Sequence, residues 1–438
     1  MSRIMRVINR FGERRILLAI VIVALLLQLL ELRPPGIYGE PYLVAKNIVA
    51  GKGFVFEYPL TQHVGPTSYV TPLYTYLQVP FLYFGLGERG IQVMNLVFLQ
   101  AACFVLYLFF RRFTTRGVTL LIFAALSFYI PFWILSYTLE PNSLNLLLLA
   151  LTVDRLYVVS KFPSRNRWFQ LGILIGLQLL LRPDILLGAV LFAVWLIILS
   201  WRKSRTFKKR TWMGIAVTAL VTFAIATPWT LRNYWTFHKF VLVSTNSGMN
   251  LFEGNNPVAT GEFSENPPTD ESKKDFDEIS AYANMHDAID LDHFRFQMAE
   301  EWIFAHPSEV MMLDLKKIWY HWFGRPIMGE QYHYQYQGMA TTFRIAGALM
   351  LAFGLYGLYC IHDNKLRSLL LVVFFYSTLI SAIFFVQSRH RILKVDPFLL
   401  PLAVIGVINV AVTFRSRSQS DSHRDLKVTA TKVTATQT

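Results

Sequence analysis

The sequence predicts an all-α integral membrane protein: a bundle of about ten transmembrane helices, with juxtamembrane helices and a small soluble domain on its outer face. Three observations carry this. Only 16% of the 438 residues are charged and 54% are hydrophobic, whereas a soluble protein of this size is about a quarter charged. Apolar runs of roughly membrane-crossing length recur along the chain. The net charge of +14 sits mostly in short stretches between those runs, as in the cytoplasmic loops of multi-pass proteins. That placement makes the positive charge a topology signal and gives no reason to expect a nucleic-acid partner.

The first run, 16–30, follows Arg3, Arg6, Arg10, Arg14 and Arg15. It resembles a signal peptide, but Glu31-Leu32-Arg33-Pro34-Pro35 offers no small-residue cleavage site. It is therefore read as an uncleaved first helix with a cytoplasmic N-terminus. Further spans are expected at 90–110, 117–135, 140–159, 168–182, 184–200, 212–229, 342–361, 367–386 and 395–414. The stretch 69–86 is ambiguous, because it holds Pro72, Pro80, Gln78 and four tyrosines. Charge decides it. If 69–86 does not span, Arg111–Arg116, Lys161–Arg167, the basic loop 201–210, Lys365–Arg367 and Arg415–Arg424 all face the cytoplasm. If it spans, the most basic loop faces outward. The stretch is thus a juxtamembrane or re-entrant helix on the outer side.

Four regions follow. Residues 1–229 form a seven-helix module that includes an outer loop, 32–89. Residues 230–341 form an outer, mainly helical domain, and fourteen of the 28 acidic residues fall between Glu262 and Asp314. Residues 342–414 supply the last transmembrane helices. The polar tail, 415–438, reads as a disordered cytoplasmic segment.

Positive charge on the outer side is what topology leaves unexplained. Arg182 ends the fifth span, Arg232 follows the seventh, and Arg389, Arg391 and Lys394 lie between the ninth and tenth. Arginine can grip two phosphate oxygens at once, so these sites suit a lipid-borne phosphate. A single arginine at a helix end can equally snorkel to headgroups; three clusters on one side favour at least one phosphate site. Two carboxylates share that side. Glu40 opens an amphipathic helix that Gly51 ends, where ordinary helix-dipole chemistry also suits an acid. Glu140 sits in a polar corner with Asn142, Ser143 and Asn145. Asp184 reads as a partner for Arg182. Cys103 and Cys360 form no disulfide framework, and the scattered histidines form no metal-site spacing.

Several segments, in order over about 30–400, resemble the GT-C superfamily of membrane glycosyltransferases. The likeness is strongest to the branch of dolichyl-phosphate-mannose–protein mannosyltransferases and bacterial aminoarabinose transferases, which modify lipid A. The segments are Gly39–Phe54, Pro66–Tyr74 with Thr-Pro-Leu-Tyr, Leu139-Glu140, Leu181-Arg-Pro183, Pro228-Trp-Thr-Leu-Arg-Asn-Tyr234, Val243–Pro257 with Gly-Asn-Asn-Pro, and Arg389–Phe398. The resemblance implies a GT-C-like bundle and a polyprenyl-phosphate-linked sugar donor. It also implies a lipid, glycan or protein acceptor and no nucleotide sugar at the site; no cofactor is expected, and no metal-ligand cluster is evident in the sequence. It places a catalytic acid, usually Asp, at the position of Glu40, and a second at Glu140. Tyr42, Lys46, Arg182, Arg232, Asn233, Asn255, Asn256, Arg389, Arg391 and Lys394 are carried over as substrate-binding residues.

The chemistry fits that assignment. A prenyl phosphate leaves as an anion and needs positive charge more than a general acid. A hydroxyl acceptor needs one carboxylate base within ~2.6–3.2 Å. A single displacement inverts the anomeric centre, unlike the acid–nucleophile pair of retaining glycosidases. The rival readings are a transporter or flippase, a polymerase or ligase for lipid-linked glycans, and a non-catalytic assembly protein. A transporter should show internal repeats and broken helices near the midplane, and the sequence displays neither.

Overall fold

A computed structural model of the chain describes residues 12–32, 39–57, 64–262, 273–324 and 340–414. Arg3, Arg6, Arg10, the histidines at 63 and 333, and the tail expected to be disordered lie outside these residues. The first half runs α1 (Glu13–Leu30), α2 (Glu40–Val49), β1 (Val55–Glu57), β2 (Val64–Pro66), α3 (Pro72–Tyr83), α4 (Gly87–Phe110) and α5 (Arg116–Ser127). It continues with α6 (Ile130–Tyr137), α7 (Asn142–Lys161), α8 (Arg165–Leu179), α9 (Ile185–Ser200) and α10 (Arg205–Phe237). The second half holds α11 (Ser247–Gly254), α12 (Lys273–Met285), α13 (Ala288–Ala305), α14 (Pro307–Phe323), α15 (Ala340–Cys360), α16 (Asn364–Ile383), α17 (Ser388–Lys394) and α18 (Asp396–Phe414). The protein is an all-α membrane bundle with, among the described residues, one short antiparallel strand pair, in which Phe56 pairs with Gly65.

Among the described residues six helices are long and apolar enough to cross a membrane: α4, α7, α10, α15, α16 and α18. The pair α5–α6 makes a seventh if counted as one span. The other expected spans are helices as well, of 18 (α1), 15 (α8) and 16 (α9) residues. α3 has only 12 residues, about 18 Å of helix, too short for a hydrocarbon core of about 30 Å. α10 runs unbroken for 33 residues, well past 229.

The third expected span also differs from its sequence reading. The span expected at 117–135 is broken, with α5 and α6 meeting at 42°. Pro131 starts α6 and cannot continue the hydrogen-bond ladder of α5. The indole of Trp133 donates to the Ser127 carbonyl at 2.7 Å, which satisfies an acceptor that the break exposes.

Small residues let the helices close up, as membrane packing requires. A Cβ on Gly357 of α15 would stand 1.9 Å from the Leu402 carbonyl oxygen of α18. Thr218 and Thr222 of α10 donate to the carbonyls of Trp168 and Gly172 in α8. One end of the bundle is tied by ion pairs: Arg111–Glu13 at 3.1 Å, Arg112–Asp154 at 2.7 Å and Lys161–Asp363 at 2.6 Å. The charge rule predicts that this end is cytoplasmic. Single cysteines introduced at Thr114 and Arg205 should escape an impermeant thiol reagent added from outside intact cells; labelling of either would reverse the topology.

At the opposite end, α11–α13 share a small core of Leu251, Phe252, Ile279, Leu291 and Ala299. Lys317, fully buried, fastens it to the bundle. Its ammonium donates to Asn255 Oδ1 and to the Ala382 carbonyl, both at 2.9 Å.

Candidate active site

Glu40 stands in the first turn of α2 behind Gly39, with Pro41 preset for a helix start. The helix dipole favours its carboxylate there. Gly39 has ordinary extended backbone (φ −62°), so conformation does not demand glycine. Space does: a Cβ at 39 would lie 2.0 Å from Glu140 Oε1. The two predicted carboxylates, a hundred residues apart, are therefore neighbours.

The corner carrying Glu140 is held by polar groups of α4. Gln92 donates to the Tyr137 carbonyl at 2.8 Å and Asn95 to the Thr138 carbonyl at 2.9 Å. Asn95 in turn accepts the Tyr74 hydroxyl at 2.9 Å. The amide of Leu73 and the hydroxyl of Thr71 donate to the carbonyls of Leu180 and Leu181. The Thr-Pro-Leu-Tyr stretch thus positions both the Glu140 corner and the approach to Arg182. Beneath lies an apolar cluster of Tyr42, Tyr74, Ile91, Leu139, Leu144 and Leu181. Leu139 and Leu181 adjoin Glu140 and Arg182 in sequence, and Tyr42 lies two residues from Glu40.

The cations complete the site. Arg182 lies 3.5 Å from Asp184, which also pairs with Lys394. Arg389 reaches Glu140 at 3.9 Å, their side chains 32% and 24% exposed, so both remain within reach of an incoming molecule. The Nε–H of Arg389 is buried without a hydrogen-bond partner. Burial and the Glu40 carboxylate push the Glu140 carboxyl above the usual range, against the opposing pull of Arg389 and Arg182. Burial alone would raise Asp184 too, but Lys394 and Arg182 hold it below the ordinary value. Burial and the Arg182 charge lower Arg389, with Glu140 and Glu40 opposing. The result is a carboxylate pair against a cationic patch, with Asp184 organising two of its three members.

The structure gives other expected substrate-binding residues different surroundings. The Arg232 guanidinium donates to the Thr67 carbonyl at 2.7 Å and packs over Trp229 at 4.8 Å. Asn233, fully buried, donates to the carbonyls of Val241 and Val243. Pro228–Tyr234 therefore clamps the chain after α10 onto the strand pair. Asn255 bonds to the Leu251 and Ile383 carbonyls and to Lys317. Asn256 closes its own turn through the Phe252 carbonyl and the Val258 amide. Arg391 binds Asp396 at 3.1 Å and the Trp322 carbonyl at 2.7 Å. The Tyr42 hydroxyl donates to Glu88 at 3.0 Å, and Lys46 lies 5.8 Å from the Tyr42 ring centre. Sequence reasoning quoted Thr71–Tyr74 in the resemblance without giving it a role, and missed Gln92 and Asn95. Two polar residues in one turn of an otherwise apolar span were the available signal for Gln92 and Asn95.

Gly39→Val should push the Glu140 carboxylate away while leaving the fold intact, because the obstructed atoms end a flexible side chain. A displacement of about 1 Å in a reacting group can cost about 10²-fold. Turnover should fall by that order with an unchanged melting temperature; full turnover would show that the Glu140 position is immaterial.

Three comparisons bear on this arrangement. Residues 69–229 match the family model for dolichyl-phosphate-mannose-protein mannosyltransferase. The fold is similar to the crystal structure of the Archaeoglobus fulgidus oligosaccharyltransferase in complex with Zn and sulfate. That similarity has a TM-score of 0.51 at 11% identity, over 91% of this chain and 50% of the archaeal one. A second crystal structure of that enzyme, tethered to an acceptor peptide containing the NVT sequon, aligns with a TM-score of 0.49 at 12% identity over the same shares. The chain spans half the length of these archaeal chains. No curated protein sequence matches it.

Proposed function

We propose that this chain, a GT-C superfamily membrane glycosyltransferase, moves a sugar from a polyprenyl-phosphate donor to a lipid, glycan or protein acceptor at the outer face of the cytoplasmic membrane. The observation that carries the reading is the juxtaposition of Glu40 and Glu140 with Arg389, Arg182 and Lys394 at the bundle end opposite the basic loops. The cations suit the phosphate, whose charge grows as the glycosidic bond breaks. Glu40 acts as base on the acceptor hydroxyl, and Glu140 orients Arg389 and the sugar. The acceptor oxygen attacks the anomeric carbon as the phosphate leaves with the bonding pair. The acceptor proton passes to Glu40, and the anomeric configuration inverts. Arg232, Asn233, Asn255, Asn256 and Arg391 support this site at a distance, as the clamps described above.

The test is turnover of labelled polyprenyl-phosphate sugars by the purified protein in lipid, with an envelope extract as acceptor. Label transfer, prenyl-phosphate release and an inverted product are expected. Retained configuration would exclude single displacement. Failure to release prenyl phosphate from any of several donors would move the assignment to transport or assembly.

A further inference from the structure

α14 divides into three faces. Leu313, Lys317 and His321 are buried against the bundle. Met311, Met312, Leu315, Ile318, Trp319 and Phe323 are all exposed, Met312 by 63%. At 100° per residue these six span an arc of about 140°, which also holds Ser308 in the first turn and Trp322, half-buried against α16, in the last. Glu309, Lys316 and Tyr320 fill a polar strip of about 40° between the apolar arc and the buried face. Beside the arc lies a mostly apolar cleft of ≈ 460 Å³, lined by Ile303, Phe304, Pro307, Val310 and Ile318 among others, whose one charged group, Asp314, is paired with Lys317 at 3.2 Å. Phe304 at its rim is 77% exposed. A water-exposed helix rarely leaves so wide an apolar surface bare.

The contacts of α14 fix its depth. Lys317 bonds to the Ala382 carbonyl, at the end of the membrane-crossing helix α16. Five residues on, the Trp322 ring stands 6.2 Å from Phe374, which lies about 13 Å inside that helix end. The Trp322 carbonyl also shares the Arg391 guanidinium with the carbonyl of Gly347, which belongs to the membrane-crossing helix α15. α14 thus descends beside α16, and the membrane-crossing helices α15 (Ile345, Leu349) and α16 (Leu371, Phe375) expose apolar side chains as well.

We propose that α14 is embedded in the bilayer, with its apolar arc and adjoining cleft filled by the acyl chains of membrane phospholipid. The domain expected to be soluble is then anchored by a partly inserted helix. Its polar strip marks the side turned to headgroups and water. This inference stands apart from the proposed sugar transfer, since it concerns depth alone.

Site-directed spin labels test it in the full chain in phospholipid vesicles, placed singly at Met312, Leu315, Glu309 and Lys316. Labels at Met312 and Leu315 should collide more with oxygen than with a water-soluble nickel chelate, and those at Glu309 and Lys316 the reverse. Dominant nickel collisions at Met312 and Leu315 would overturn the proposal. So would dipolar broadening between Leu315 labels, which would mean that a second copy covers the face. A milder change guards against misfolding. Brominated acyl chains should quench parent emission more than that of Trp319→Phe; equal quenching would place Trp319 outside the chains.

Discussion

Glu40→Gln is expected to lower sugar transfer by about 10²–10⁴-fold, the range for loss of a positioned general base. The amide keeps the size of the side chain and its place at the start of α2, so the fold and donor binding should survive. The loss should appear in kcat more than in donor KM, because the base acts on the acceptor only as the bond forms. Purified parent and variant in lipid, assayed at saturating donor, separate the two constants. Wild-type kcat in the variant would dismiss Glu40 as base and leave Glu140, whose carboxyl lies against Gly39, to be tested in its place. Burial and Glu40 push the Glu140 carboxyl above the usual range; Glu40 is the first choice for proton acceptance because the resemblance places the catalytic acid at its position.

Arg389→Gln should reduce kcat/KM for the donor by about 10²–10³-fold, the cost of removing one donor aimed at developing charge. Among the three cations Arg389 is the least committed. Its one carboxylate contact is long, at 3.9 Å, and its Nε–H is buried without a partner. Both leave it free to receive phosphate oxygens. Lys394 would be a poorer probe. It is nearly fully buried and paired with Asp184, and stripping one partner from a buried pair costs about 3–5 kcal/mol of stability. A lost activity there would be ambiguous. Arg389→Lys should recover only part of the loss, because an ammonium keeps the charge without the planar fork. Steady-state kinetics with varied donor checks both variants. Donor kcat/KM unchanged in Arg389→Gln would remove Arg389 from the phosphate site.

The motifs that made the family resemblance visible divide into two kinds of work. Glu40, Glu140, Arg182, Arg389 and Lys394 converge on one site. Arg232, Asn233, Asn255 and Asn256 spend their hydrogen bonds on backbone carbonyls and on Lys317. In sequence the two kinds look alike, since both are polar residues beside apolar helix ends. A polar group buried at such an end must find a partner, and only the folded chain reveals whether that partner is backbone or an open site. The clamps matter to the site nonetheless: Arg232 holds the Thr67 carbonyl, and the chain from there runs directly into Thr71 and Tyr74.

By itself the sequence determined the solvent and the layout. Apolar runs and the absence of charge demand a bilayer, and a helix is the structure that satisfies its own backbone there. Short basic loops between the runs set which ends lie together. Helix beginnings and ends were legible where local chemistry is decisive, as at Glu40-Pro41 and Gly51, the last with φ +75°. Tertiary structure alone decided the rest. It bent the third expected span at Pro131 and set Gly39 against Glu140. It shared Asp184 between Arg182 and Lys394, and packed α14 beside α16. Each of these depends on residues distant in sequence meeting within a few ångströms. Hydrophobic periodicity reports which face of a helix is apolar, but not whether protein or lipid will cover it.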